Sequence, residues 1–465
     1  FGCYLRIRNT GEAFLYGDEF HSFRDLAKGY QYLLTQFDAT GSGLVLALLQ
    51  RVLGDVLGYS LWTLRLPALF SGAALLLIFY PLVRRLFGAP TAFFATGLLA
   101  VNAFKQGDYK KAEEHFSEAR QGPTVDPTTT LARAWAQEAQ GEHTGAFDTL
   151  DTLSSANWAN FYLLYHRALI ADVAGRHQLA NKSYDAAFKR NPRTLRVVDA
   201  YSRHAARSNR SDLAIAALKL HMAKTLPHPV TEALLKEIED GGTPDLVVRN
   251  PTEGLAEVFY GIGSVAVGEG NLEAGTQYLK FALLLRPDFP LAQVALAEAY
   301  SEAEKYEDEI AAFDEIPPSS PLWLNVQIQK AFAMASLDRI DDAKVVLEKL
   351  IAENPDDIRP LDALGSILRS KERHEEARRY YTRAIELVDK PTQRNWALFY
   401  ARGVTNERLK DWPAAEADFK KALELNPDES LILNYLGYSW VDQGMNLEQA
   451  MDYIRLRTTF GTPIA

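Results

Sequence analysis

The sequence predicts an all-α protein, a superhelical solenoid of antiparallel helix pairs, and three observations predict it. First, residues recur with a 34-residue period. In a unit numbered from Trp396, Gly403, Ala415, Phe419, Ala422 and Pro427 occupy positions 8, 20, 24, 27 and 32, and units in register begin at 127, 161, 195, 256, 290, 324, 358 and 430. Second, the recurring residues have the sizes a helix pair needs. Small side chains at 8, 20 and 27 let two helices approach closely, and an aromatic or Leu at 24 fills the seam. Third, proline at 32 ends the second helix, because it lacks an N–H and clashes with the preceding turn.

Taken in order, unit 127 opens on Pro127, which suits the first turn of a helix. Unit 161 supplies Ala168, Gly175, Ala180, Tyr184, Ala187 and Pro192, and unit 195 follows with a weaker match. Between about His228 and Leu255 the register breaks: Thr231 to Glu239 reads as one short helix and Asp240-Gly241-Gly242-Thr243-Pro244 as a breaker. This is either a degenerate repeat with a longer loop or a bend between two stacks. The pattern resumes with Gly263, Leu279, Ala282 and Pro287 in unit 256, then Leu296, Ala297, Tyr300 and Phe313 in unit 290. Unit 324 has Ala331, Ala343, Leu347 and Pro355, and unit 358 has Leu364, Gly365, Ala377, Tyr381 and Ala384. An interval of 38 residues then holds Asp389-Lys390-Pro391 before Trp396. Unit 430 has Leu436, Gly437 and Gly444. After Ile454 the template finds no alanine at position 27, so 458–465 reads as a tail without a capping helix.

This period and this set of small residues resemble the tetratricopeptide repeat, of bacterial type, over about residues 105–455. The expected organisation is a stack over 105–228, a linker over 229–255 and a second stack over 256–457. The resemblance implies a non-catalytic scaffold that binds a partner protein or peptide in a concave groove lined by the first helix of each unit. Positions 2, 5, 9 and 12 share one face at helical period. They place Tyr162, Tyr165, Tyr260, Glu298, Asn325, Arg359, Asp362, Arg369, Tyr400, Glu407, Asn434 and Tyr438 in that groove. Tyrosine and arginine are types that anchor interfaces.

Residues 1–104 read differently. Leu66 to Val83 is 18 residues without a charge, closed by Arg84 and Arg85, and Leu86 to Phe104 is 19 more. A membrane span needs about 20 apolar residues, so a segment with about two spans is expected at 66–104. No signal peptide is legible at the start. Tyr16-Gly17-Asp18-Glu19-Phe20 and Trp62-Thr63-Leu64-Arg65-Leu66-Pro67-Ala68 resemble the amino-terminal part of a polyprenyl-phosphate-dependent membrane glycosyltransferase of the mannosyltransferase kind. That resemblance implies that Asp18 and Glu19 serve the acceptor as base or hold a metal. The sequence departs from that family where Thr40-Gly41-Ser42-Gly43 replaces its His-Pro-Pro-type motif, and few spans follow. Arg84 and Arg85 belong on the cytoplasmic side. If 86–104 also crosses, covering about 28 Å at helical rise, the repeats are extracytoplasmic (periplasmic), and this is the expected arrangement. If it packs as a repeat helix, they are cytoplasmic. Residues 93–126 do obey the repeat template, with Leu99, Ala100, Ala103, Gly107, Ala112, Phe116 and Ala119 in place, so the chain reads as two sequences joined near Val101 to Phe104.

Charge and cysteine narrow the function classes. Residues 1–104 hold eight Lys or Arg and six Asp or Glu, a net of +2, which leaves −12 of the total −10 on the rest. An acidic repeat array argues against nucleic acid, which needs clustered Lys and Arg. Cys3 is the only cysteine, so no internal disulfide and no cysteine zinc site forms. Gly261, Gly263 and Gly268 lie inside a helix pattern and make no phosphate cradle. His166 and His177 lack zinc-ligand spacing, and neither a metal nor a cofactor is expected. Two other readings stay open: a membrane glycosyltransferase, or its remnant, with a repeat docking domain, and a chimeric reading frame without a unified function.

Overall fold

The computed structural model describes residues 55, 89–119, 126–155, 160–427 and 429–460. Among them every regular element is helical. Helices pair as α1 (Ala89–Lys105) with α2 (Tyr109–Glu118), α3 (Pro127–Ala139) with α4 (His143–Asp151), α5 (Asn160–Val173) with α6 (His177–Arg190), and α7 (Leu195–Arg207) with α8 (Ser211–Lys224). A single helix α9 (Pro229–Glu239) follows, and Gly241 leaves it with a positive φ, as the breaker reading expects. The pairs then resume: α10 (Pro251–Gly268) with α11 (Leu272–Leu285), α12 (Pro290–Glu302) with α13 (Tyr306–Asp314), and α14 (Trp323–Ser336) with α15 (Ile340–Glu353). The last three are α16 (Ile358–Ser370) with α17 (His374–Glu386), α18 (Trp396–Arg408) with α19 (Trp412–Leu425), and α20 (Ser430–Asp442) with α21 (Leu447–Phe460).

The register is written into the turns. Position 15 of successive units is Gly107, Gly141, Gly175, Asn209, Gly270, Glu304, Asp338, Glu372, Lys410 and Gly444, and each has a positive φ. In each, the N–H of the following residue reaches back five residues, as Asp108 does to the Ala103 carbonyl (3.0 Å) and Met445 to that of Trp440 (2.8 Å). This closure satisfies carbonyls that the helix end leaves open. Glu304, Asp338, Glu372 and Lys410 take the left-handed conformation without the freedom of glycine, so packing of the two helices, and not glycine alone, sets the turn.

Close approach within each pair follows the small residues. A Cβ on Gly403 would lie 2.8 Å from Phe419 Cε1, and one on Gly365 would lie 2.8 Å from Tyr381 Cε1. Phe419 and Tyr381 are both fully buried. The chain divides into two compact units: unit 1 is Phe1–Thr225 with Ile238–Phe259 and Leu284–Arg286, and unit 2 is Leu226–Glu237, Tyr260–Leu283 and Pro287–Ala465.

Three expectations need correction. The expected span at 86–104 is instead helix α1, which is 17 residues long and packs on α2 with Ala100, Val101, Ala103 and Phe104 buried. No helix among the described residues is long and apolar enough to cross a membrane. The apolar run is explained by burial against a helix partner. The first run, Leu66–Val83, lies outside the described residues, as do Asp18 and Glu19. Residues 458–460, expected as the start of a tail, are helical, because α21 runs to Phe460. Asn446 adds a second positive-φ residue after Gly444, which shifts the template by one residue and puts fully buried Ala450 in the place of position 20. Finally, α10 starts at Pro251, five residues before Ala256, and the extra turn brings Gly254 against the Trp135 ring.

Candidate functional site

In unit 1, the expected groove positions are filled by the protein's own charges. Tyr165 (position 5) is buried, and its hydroxyl donates to Glu257 Oε1 at 2.9 Å. Arg196 (position 2) donates Nε to Glu257 Oε1 at 2.8 Å and Nη2 to Oε2 at 2.6 Å, while its Nη1 reaches Asp199 Oδ2 at 2.7 Å. Arg203 completes the chain by donating to Asp199 Oδ1 at 2.6 Å. Burial pushes the Glu257 carboxyl up, but the Arg196 guanidinium and the Tyr165 hydroxyl outweigh it and hold the carboxyl below its usual range. Burial and the neighbouring Glu257 raise the Tyr165 hydroxyl well above the tyrosine range. Tyr165 is therefore an internal donor and not a residue open to a partner. Tyr162, one residue past Phe161, is half-buried with its ring edge-on to that neighbour at 5.1 Å.

In unit 2, the same positions stay accessible. Asn325 accepts from Arg359 Nη1 at 2.9 Å, and Arg359 also holds Asp357 through Nε (2.9 Å) and Nη2 (2.5 Å). Asp357 is fixed because it caps α16, accepting from the Arg359 backbone N–H. On the same helix, burial pushes the Asp362 carboxyl up and Arg369 pulls it back. Arg369 Nε donates to the Tyr381 hydroxyl at 3.4 Å. Half-buried Tyr400 lies 6.0 Å from each of the rings of Trp396, Phe419 and Tyr435, and Tyr435 donates to Glu407 at 3.2 Å. Tyr438 is exposed, and the side-chain oxygen of half-buried Asn434 is enclosed without a donor. Glu298 is exposed on α12, and the Tyr260 ring packs on Phe289 at 4.9 Å. The structure thus bonds Asn325 to Arg359 and sets Arg369 near enough to Asp362 and to Tyr400 to act on each electrostatically.

Three segments, 95–159, 260–322 and 363–430, match the family model described as the tetratricopeptide repeat. Those segments are similar to tetratricopeptide repeats. A TPR repeat-containing protein of Pseudomonas aeruginosa is 26% identical over 155 residues, which is 33% of this chain and 26% of that protein. A UDP-N-acetylglucosamine–peptide N-acetylglucosaminyltransferase of Giardia intestinalis is 39% identical over 74 residues, 16% of this chain and 5% of that enzyme. The chain therefore spans about a quarter or less of either relative. Among solved structures, yeast Tom70 is 12% identical with a TM-score of 0.39, covering 80% of this chain and 93% of Tom70. YrrB, titled a TPR protein with an unusual peptide-binding site, is 19% identical with a TM-score of 0.29 over 38% of this chain and 90% of YrrB.

The TPR template carried a signal that the groove reading passed over. Arg196, Asp199 and Glu257 stand at positions 2, 5 and 2 of units 195 and 256, the same positions that supplied Tyr165. Opposite charges at facing positions of consecutive units pair with each other and close the face. A second network was not legible, because it uses positions outside that set: Arg402 grips Asp418 with two bonds (2.9 and 2.7 Å), and Asn406 donates to the same carboxylate at 3.0 Å. Among the described residues no group of three or more His, Cys, Asp or Glu is placed to hold a metal ion.

Proposed function

We propose that the chain is a protein-interaction scaffold that takes a partner protein or peptide on the first-helix face of unit 2. The observation that supports this is the contrast between the units at equivalent positions. Tyr165, Arg196, Asp199 and Glu257 are spent on one another, while Asp362, Arg369, Tyr400 and Tyr438 keep accessible surface. Tyr400 and Arg369 are the anchors: an aromatic ring held rigid by three neighbours and a guanidinium whose strongest recorded bond is a long one to Tyr381 bind with little ordering cost. The experiment is photo-crosslinking with benzoylphenylalanine placed singly at Arg369, Tyr400 and Tyr438 in the full chain, with Lys349 on the second-helix side as control. The expected result is one adduct of the same mass from the first three positions. Equal crosslinking from Lys349, or none from the other three, refutes the face. For location, the reading places the repeats in the cytoplasm beside any span at Leu66–Val83, because Arg84 and Arg85 mark the inner side and α1 packs as a repeat helix.

A further inference from the structure

The second-helix side of unit 2 carries a cleft of about 680 Å³ between α17, α18 and α19. That volume lies within the range of ligand pockets, roughly 300–1,000 Å³. Four arginines line it, and two of them are already occupied. Arg378 Nη2 donates to Glu375 at 2.8 Å and its Nη1 lies 3.6 Å from Asp411, while Arg402 is held by Asp418. Arg379 and Arg383 stand one helical turn apart on α17, and neither guanidinium has an ion pair or hydrogen bond to a described residue. Of the lining carboxylates, Asp411 and Asp418 are paired and only Glu386 is left to offset them.

Asn406 adds a different requirement. It lines the same cleft, is almost fully buried, and gives its Nδ2 to Asp418, which leaves Oδ1 enclosed without a donor. Turning the amide over does not help, since the oxygen would then face the Asp418 carboxylate. The cleft therefore lacks negative charge at Arg379 and Arg383 and lacks an N–H at Asn406. An acidic peptide supplies both.

We propose that this cleft binds an acidic peptide segment of a partner protein, with side-chain carboxylates on Arg379 and Arg383 and a peptide N–H on Asn406 Oδ1. Guanidinium and carboxylate match in planar, paired geometry. A long polyanion is opposed by the chain's net charge of −10. The site uses none of Asp362, Arg369 or Tyr400, so it stands apart from the first-helix face. The test is fluorescence anisotropy of a fluorescein-labelled hexaglutamate peptide with the full chain. Saturable binding is expected, with hexaglutamine at least tenfold weaker. The Arg379→Glu/Arg383→Glu variant, altered only at exposed side chains and checked for an unchanged melt, is expected to lose at least tenfold, and Arg369→Ala to bind as the parent does. No binding, or full-strength binding by the double variant, overturns the proposal. So does equal loss in Arg369→Ala, which moves the peptide to the first-helix face, and so does displacement by inorganic phosphate at lower concentration than hexaglutamate, which makes the cleft an anion site.

Discussion

Replacing Gly403 by alanine tests the close approach on which every pair depends. The added Cβ would sit 2.8 Å from Phe419 Cε1, 2.9 Å from Cδ1 and 3.2 Å from Cζ. The ring has no room to retreat, since Phe419 is fully buried and its centroid lies 5.2 Å from that of Tyr435 and 6.0 Å from that of Tyr400. Overpacking of this kind costs roughly 1–3 kcal/mol. Alanine returns up to about 1 kcal/mol through its better helix propensity, so a net loss of about 1–2 kcal/mol is expected, and more for Gly403→Leu. Gly268→Ala is the matched control, because a Cβ there meets nothing within 4 Å and φ is not positive; it should be neutral or stabilising by about 0.5 kcal/mol. Urea melts followed by circular dichroism and tryptophan fluorescence measure both. A Gly403→Ala midpoint at or above the parent value would show that the seam is loose, and the argument from small residues would fail.

Three further outcomes are expected. Glu257→Ala strands the buried Arg196 guanidinium beside Asp199 and should cost about 3 kcal/mol; Arg196→Met with Glu257→Leu should be much milder, and equal losses in chemical melts would contradict the ion-pair account. Burial pushes His166 down to about 4, and Trp135 Nε1–H donating to its Nδ1 at 3.1 Å fits a neutral ring. With an unfolded value near 6.5, the unfolded chain binds more protons between pH 6.5 and 4, so this contribution of about 3 kcal/mol is present above 6.5 and lost as pH falls to about 4. His166→Gln should flatten that slope in urea midpoints taken across the window, and an unaltered slope would assign it to other groups. A cysteine at exposed Lys349, in a Cys3→Ser background, should react with an impermeant thiol reagent only after lysis; labelling of intact cells would put the repeats outside the cytoplasm.

The sequence by itself determined the periodic part of this protein. Pro127, Leu195, Pro290, Ile358, Trp396 and Ser430 all begin helices where the 34-residue register puts them, because terminators and small residues act within one pair and need no distant partner. It also contained the answer for 93–104, whose repeat residues Ala100 and Ala103 pack as the template requires, although an apolar run has the same composition whether lipid or another helix covers it. What only the tertiary structure decided is which side chains of the first-helix face remain open. Tyr165 and Tyr400 hold the same position in their units. One is closed over by Glu257, 92 residues away, and the other stays half-exposed. Helical period fixes the direction of a side chain from its own helix, but the charge that meets it comes from another unit, at a distance in sequence that no local pattern specifies. The Arg402–Asp418–Asn406 cluster follows the same rule. Its members lie on two helices, and only the packing of those helices turns scattered polar residues into one buried network.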